Sequence, residues 1–277
     1  DENDKIAKGA IQDIWPNEHI TVSSEILPEI REFERASTST LNAVLQPVLS
    51  HYLGALEETL TNKGFLGQAL IVQSNGGVMS IENAKALPIK TALSGPAAGV
   101  IAASYIGVNA GYPNIVSCDM GGTSFDVSLI SGGQSKLAAQ TSIDFGMVVR
   151  SPMVEIITIG AGGGSIAKVD AGGLLQVGPE SAGSDPGPVC YGLGTKTPTV
   201  TDANVVLGRI NPESPIGGRL ERLDVDAARD SINLHVAKPL GIDVMDAAEA
   251  ILKVANAKMA SAIRLVSVER GQEPSVS

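Results

Sequence analysis

From residue 41 to residue 60 the apolar side chains Leu41, Val44, Leu45, Val48, Leu49, Tyr52, Leu53, Leu56 and Leu60 recur at i, i+3, i+4 and i+7. That is the spacing of one face of an α-helix. Ser37 to Ser39 offer N-caps and Gly64 a stop, while Pro47 inside the run should kink or break it. A second long stripe follows Asp243 as N-cap and runs from Val244 to Val266, with Gly271 near its C-cap. Many of its apolar positions are alanines, so another element can approach closely. A shorter helix is expected from Val225 to Val236, and a first one from Ile6 to Ile14. The stripes of the two helices that begin near Val225 and Val244 read as core packing. His19 to Ser23 and the apolar run Ala69 to Gln73 read as strands, and Ser74-Asn-Gly-Gly77 as the turn after the second.

Between these helix-rich flanks the pattern changes. Glycines concentrate between Gly121 and Gly218, so the middle of the chain is dense in turns. Of 277 residues 43% are hydrophobic and 18% charged, enough for a sizeable core and too apolar for wholesale disorder. There is no internal repeat, no signal-peptide pattern and no apolar run long enough to span a membrane. The net charge of −10 and an aromatic content of 3% argue against nucleic acid, which needs basic clusters and stacking platforms. A cytoplasmic protein is expected. Cys118 and Cys190 are too few for a disulfide framework or a zinc site, and His19, His51 and His235 are scattered. The chain opens on Asp1 and closes soon after its last helical pattern, which suggests both ends were cut from something longer.

The candidate chemistry lies in two stretches. Ser94-Gly-Pro-Ala-Ala-Gly99 opens a small-residue helix, and Asn114 to Ile130 then reads strand, Gly-Gly turn, strand. Asp119 and Asp126 bracket that turn. Gly121 and Gly122 can take φ > 0 and let backbone N–H groups converge on an anion, while Thr123 and Ser124 add hydroxyl donors. Asp119 and Asp126 could hold a Mg²⁺ shell or orient a water. An ordinary hairpin with two surface aspartates has the same spacing. The second stretch is Gly160-Ala-Gly-Gly-Gly-Ser165, after an apolar strand from Val154 to Ile159. It resembles half a dinucleotide fingerprint, with Glu180 at the expected distance, but Gly172-Gly173 would interrupt the following helix and Glu180 sits in a Gly/Pro-rich loop. Gly160, Gly162, Gly163 and Gly164 are read as a loop lining the phosphate or substrate side, or as a structural turn. In the first case alanine at Gly162 and Gly163 should weaken ligand use with folding unchanged.

A small-residue helix feeding a strand that ends Asp-x-Gly-Gly-Thr resembles the actin-like ATPase superfamily. The ordered set Ser94–Gly99, Asp119-Met-Gly-Gly-Thr-Ser124, Ile159–Ser165, Gly178–Gly183, Asp185–Gly192 and Thr199–Asn204 resembles, more narrowly, the hydantoinase A / 5-oxoprolinase family. Ser24 to Arg35 and Gln73 to Gly77 look like the same family upstream. The resemblance implies an α/β fold: most of one actin-like (ribonuclease H-like) lobe, a mixed sheet flanked by helices, incomplete. Residues 1–92 would form an inter-lobe segment and 93–277 the ATPase lobe.

The resemblance further implies ATP and Mg²⁺, with Asp119 and Asp126 catalytic and Asp119 on the metal. Gly121, Gly122, Thr123, Ser124 and the Gly160, Gly162, Gly163, Gly164 loop would hold the nucleotide. The implied activity is ATP-dependent opening of a hydantoin or 5-oxoproline ring: ATP phosphorylates the amide oxygen and water attacks the resulting imidate-like carbon. Ketone carboxylation by the same phosphoryl transfer, and a non-catalytic nucleotide-binding module, are the alternatives. The expected partners are a small cyclic amide and a hydantoinase B-type subunit or domain, in an oligomer, with neither nucleic acid nor membrane.

Two features depart from the family pattern. The opposing Asp-x-Gly-Gly-Thr loop and a Gly-rich adenosine segment are missing, so this chain alone should not turn over ATP. Ile157 also stands near where members often carry an ionisable residue. Asp185, Asp202 and Cys190 are weaker candidates: Asp185 precedes Pro186 in a turn-making pair, Asp202 suits helix capping, and no histidine is tied to Cys190 as a base.

Overall fold

The computed structural model describes residues 2–17, 19–142, 146–215, 217 and 220–268. In chain order the helices are α1 (Glu2–Gln12), α2 (Ser23–Ile26), α3 (Glu32–Asn62), α4 (Ile81–Ala86), α5 (Ser94–Asn109), α6 (Val200–Val206), α7 (Val225–Ile232), α8 (Lys238–Leu240) and α9 (Val244–Val268). The strands begin with β1 (Leu70–Val72), β2 (Val78–Ser80), β3 (Ile115–Met120) and β4 (Phe125–Ser131). Five short ones follow: β5 (Gln134–Ser135), β6 (Leu137–Ala138), β7 (Thr141–Ser142), β8 (Val148–Val149) and β9 (Met153–Val154). The last are β10 (Ile157–Ile159), β11 (Ser165–Val169) and β12 (Leu175–Ser181). The fold is α/β, and its parts pack as two compact units: 1–113 with 130–155, and 114–129 with 156–277.

In the first unit α3 is the long element. It starts at Glu32, before the residues expected to cap it, and the hydroxyls of Ser37 and Thr38 pair elsewhere. Ser37 Oγ accepts from Val148 N–H (3.0 Å), and Thr38 Oγ1 donates to Glu34 O (2.7 Å) while accepting from Arg150 N–H (3.0 Å). Pro47 lies inside α3 without ending it, and Gly64, at φ +76°, follows its C-terminus. Residues 19–22 are irregular and Ser23 begins a helical turn; the expected strand at His19–Ser23 finds no partner strand, and Thr21 instead donates from its hydroxyl to Gln46 Oε1 of α3. The run at Ala69–Gln73 is a strand, β1, paired antiparallel with β2 around the Ser74–Gly77 turn. Leu53, Met79, Ile81 and Ala84 bury the junction of α3, the β1–β2 hairpin and α4.

In the second unit β10, β4 and β3 lie side by side, with β10 antiparallel to β4. Side chains alternate across this sheet with period two. Phe125, Val127, Leu129, Ile157 and Ile159 share the face that packs on Met259, Ala262, Ile263 and Val266 of α9. Asp126 and Thr158 take the other face. Further along α9, Ala247, Ala248, Ile251, Leu252 and Ala255 join a second core with the β11–β12 hairpin, α6 and α7. One helix therefore braces both cores. Its alanines permit the close approach that the sequence suggested, and Gly271 lies outside the described residues. α7 continues through a wide turn at Asn233–Ala237 into α8, as the Val225–Val236 pattern implied. Among the described residues no helix is long and apolar enough to cross a membrane.

Two expectations in this region are corrected. The run Val154–Ile159 is not one strand: Met153–Val154 pair with β6, and Ile157–Ile159 pair with β4. The glycine loop leads into a strand, β11, rather than a helix, and Glu180 lies on β12, ion-paired with Lys168 at 2.8 Å. Both findings remove the dinucleotide reading, which needs strand, loop and helix in succession.

Asp202 is the buried polar anchor of this unit. Thr199 caps α6 and Asp202 reaches back to it in a capping box. The fully buried carboxylate accepts from Thr199 N–H (2.8 Å), Thr199 Oγ1 (2.8 Å), Cys190 N–H (2.8 Å) and Val189 N–H (3.2 Å). Asp202→Ala would leave these donors unpaired in the core, so it should cost about 3 kcal/mol or more in denaturant unfolding. Asp185→Ala, at an exposed turn, should stay within roughly 0.5 kcal/mol of wild type.

Candidate functional site

The turn 121–124 joins β3 to β4. Gly121 N–H donates to Ser124 O at 2.9 Å, and Ser117 Oγ donates to Ser128 O at 3.4 Å. Both bonds fit one hairpin register, in which Asp119 stands opposite Asp126. Side chains of directly opposed residues lie on one face with Cβ atoms about 5 Å apart, so the two carboxylates share the polar face of the sheet. Asp119 is exposed. Asp126 is half-buried and accepts from Thr158 Oγ1 at 2.5 Å across the β4–β10 pair.

The glycines of the turn are not in the left-handed region, contrary to the expectation of positive φ. Their meaning is space. A Cβ on Gly122 would meet nothing within 4 Å. Among the described residues no acceptor pairs with the backbone N–H of Gly122 or of Thr123. The turn thus offers open room and unengaged donors beside two carboxylates.

The second glycine stretch holds this turn from behind. Gly163 N–H donates to Gly121 O (3.0 Å) and Gly164 N–H to Gly122 O (2.6 Å). Gly162 N–H goes to Ser165 Oγ (2.8 Å). The N–H groups that a phosphate-lining loop would present at 162–164 are therefore already donated within the protein. A Cβ on Gly162 would sit 2.6 Å from Gly122 O and 2.8 Å from Gly121 O; one on Gly163 would sit 2.8 Å from Thr201 Oγ1, and one on Gly164 2.9 Å from Ser181 Oγ. Gly160 fits closely against Pro179 in the same way, at 2.8 Å from Cβ to Cβ. At Gly162 the crowding atoms are all backbone, so a side chain there would force the hairpin turn and the loop apart and folding would not be unchanged; at Gly160, Gly163 and Gly164 the nearest atoms belong to the side chains of Pro179, Thr201 and Ser181.

Three residues that sequence reasoning passed over complete the arrangement. Thr201 donates to Gly163 O through both N–H (2.8 Å) and Oγ1 (2.9 Å). Ser181 Oγ lies 3.4 Å from Thr123 Oγ1 and accepts from Gly183 N–H at 3.1 Å. Thr158 was legible only as a lone polar residue between Ile157 and Ile159. Cys190, by contrast, is buried, and burial followed by the nearby Asp202 charge holds its thiol far above the ordinary range. It is no nucleophile.

The residues fit a divalent ion bound together with phosphate. Among the described residues no cluster of three or more potential ligands exists. Mg²⁺ in nucleotide sites commonly takes only one or two carboxylates and completes its shell with phosphate oxygens and water. Asp119 and Asp126 supply that number, beside room that a Cβ at Gly122 would fill.

The sequence profile of the hydantoinase/oxoprolinase family matches residues 35–276. The chain belongs to that family. It is 40% identical over 268 residues to the caprolactamase subunit alpha of Pseudomonas jessenii, covering 97% of this chain and 38% of that subunit. The crystal structure of the ATP-dependent caprolactamase from the same organism superposes with a TM-score of 0.76 at 38% identity, over 99% of this chain and 39% of the other. A nucleotide-free acetone carboxylase, described as carrying out ATP-dependent acetone carboxylation, superposes with a TM-score of 0.84 at 30% identity, over 99% and 38%. The chain therefore spans about two-fifths of the length of these relatives. Both solved structures are named for ATP-dependent chemistry, and the matched two-fifths of each shares the fold described above.

Two alanine substitutions separate support from ligand contact. Gly162→Ala drives a methyl into the Gly121–Gly122 carbonyls and should destabilise the chain by roughly 2 kcal/mol. Gly122→Ala should unfold within about 1 kcal/mol of wild type yet weaken nucleotide binding. Paired denaturant and nucleotide titrations check both.

Proposed function

We propose that this chain carries phosphate-binding machinery of an ATP-dependent enzyme that opens a small cyclic amide. The observation that supports the reading most is the Asp119/Asp126 pair beside the open Gly122–Thr123 turn, braced by the glycine loop. In this reading the N–H groups of Gly122 and Thr123 donate to phosphate oxygens, and the hydroxyls of Thr123 and Ser124 add further donors. Asp119 holds the divalent ion, and Asp126, kept in place by Thr158, shares that ion or orients a water. Bound there, Mg²⁺ would neutralise phosphate charge as the phosphoryl group moves. The remaining work of the hairpin is positioning, which its rigid backbone support suits. A B-type partner subunit belongs to the same proposal, in line with the subunit name of the caprolactamase relative.

Ketone carboxylation is a second reading, favoured by the higher structural overlap with acetone carboxylase, 0.84 against 0.76. Sequence identity does not separate the two: the acetone carboxylase and caprolactamase structures are 30% and 38% identical, but the acetophenone carboxylase gamma subunit of Aromatoleum aromaticum is 41% identical against 40% for the caprolactamase subunit. The family match supports the cyclic amide. Stimulation of ATP hydrolysis in the full-length protein by a lactam or hydantoin, and not by a ketone with bicarbonate, is the expected result; the reverse selects the carboxylase reading.

Asp119→Asn removes the charge proposed to hold the ion. It should weaken Mg²⁺-dependent nucleotide binding by roughly tenfold or more and leave the melting temperature close to wild type, because Asp119 is exposed. Calorimetric titration with and without Mg²⁺ checks this. Unchanged binding would remove Asp119 from the site.

A further inference from the structure

The Ser181 side chain ties the end of β12 to the hairpin turn. Ser181 stands opposite Ser165 in the β11–β12 pair, and Ala182 N–H donates to Gly164 O at 2.9 Å, so this end of β12 lies against the glycine loop. Ser181 Oγ occupies the room that Gly164 leaves, since a Cβ on Gly164 would sit 2.9 Å from it. The residue is half-buried, and its hydroxyl oxygen accepts from Gly183 N–H at 3.1 Å. Among the described residues the acceptor for its proton is Thr123 Oγ1, at 3.4 Å.

A hydroxyl carries one proton and two lone pairs. Thr123 is exposed, and among the described residues nothing accepts its proton. An ionised phosphate oxygen only accepts, so a phosphate at the Gly122–Thr123 turn takes that proton and leaves the Thr123 oxygen as an acceptor. Ser181 stands ready to donate to it, as Gly183 N–H donates to Ser181. The bonds then run one way, from Gly183 N–H through two hydroxyls to the anion, and bonds in such a chain strengthen one another. The middle bond is longer than the usual O–H···O range, so without phosphate it sets direction and adds little stability.

We propose that Ser181 is a positioning residue of the phosphate site, turning the Thr123 hydroxyl so that its proton meets the phosphate and its oxygen does not serve the metal. Ser181 itself touches neither. The inference rests on the proposed function and adds to it a residue from a different strand pair, which also links the glycine loop to the donors of the turn.

The test is a double-mutant cycle, read by calorimetric titration of the 277-residue chain with ATP, once with Mg²⁺ and once with EDTA. Ser181→Ala should weaken ATP binding about threefold, and by the same factor with and without Mg²⁺, because the relay acts on phosphate. Thr123→Val keeps the shape and removes the hydroxyl; it should cost about tenfold, and Ser181→Ala should then cost nothing further. In Thr123→Ser, which keeps the hydroxyl, the loss on Ser181→Ala should return. Asp119→Asn, by contrast, should weaken binding only with Mg²⁺. If losing the Gly183 contact unfolds Ser181→Ala, Ser181→Cys, a weaker donor of similar shape, takes its place in the cycle. A merely structural Ser181 would lower affinity by one factor in every Thr123 background, and that result overturns the proposal. So does wild-type affinity in Ser181→Ala, or a loss confined to Mg²⁺, which would make the Thr123 oxygen a metal ligand. If wild type binds ATP and the variants are additive, the proposed function stands and Ser181 leaves it; if wild type binds no ATP under either condition, both fall.

Discussion

Two backbone hydrogen bonds, from Gly163 N–H to Gly121 O and from Gly164 N–H to Gly122 O, fix the geometry on which the candidate site depends. They turn the carbonyls of the 121–122 turn toward the glycine loop, and the N–H groups of Gly122 and Thr123 have no acceptor among the described residues. A Cβ at Gly162 or Gly164 would crowd the Gly122 carbonyl and one at Gly163 the Thr201 hydroxyl, which is why the loop reads Gly-Gly-Gly. Thr201, at the start of α6, holds the far side of the loop through Gly163 O. Asp202, the next residue, ties α6 to the Val189–Cys190 segment. The site's rigidity is thus inherited from a chain of backbone contacts that ends in a buried carboxylate.

The same unit shows how one sheet serves two purposes. Period-two alternation sends Phe125 and Val127 to the α9 core and leaves Asp126 on the opposite face with Thr158. A one-residue slip would exchange these faces, burying a carboxylate and exposing the core. The apolar packing against α9 therefore sets the register that places the carboxylates.

Much of this was legible in the sequence. The helices α3 and α9, the strand–Gly-Gly–strand hairpin and the ordered family motifs rest on local periodicity or on fixed spacing, and they stand; the apolar stripe of α3 is no core face, since Val44, Leu45, Val48 and Tyr52 are exposed while Asn42 and Gln46 are buried. What local pattern could not reveal was partnership. His19–Ser23 has a strand's composition but no strand beside it among the described residues. Ser37 and Thr38 look like caps, yet their hydroxyls pair with the distant Val148–Arg150 backbone. The Gly160–Gly164 loop has the composition of a phosphate cradle, and only its hydrogen bonds identify it as a brace. Asp202 could be read as a cap, but the two N–H groups of Val189 and Cys190 arrive from a segment that spacing does not place.

The central claim is that the Asp119–Asp126 hairpin, rather than the glycine loop behind it, meets the metal-bound phosphates. Mn²⁺-nucleotide added to isotope-labelled protein tests it through paramagnetic broadening of individual amide signals. The account predicts that Gly122 and Thr123 broaden first and that this is lost in Asp119→Asn. Broadening centred on Gly162–Gly164, or none at either stretch, would contradict it.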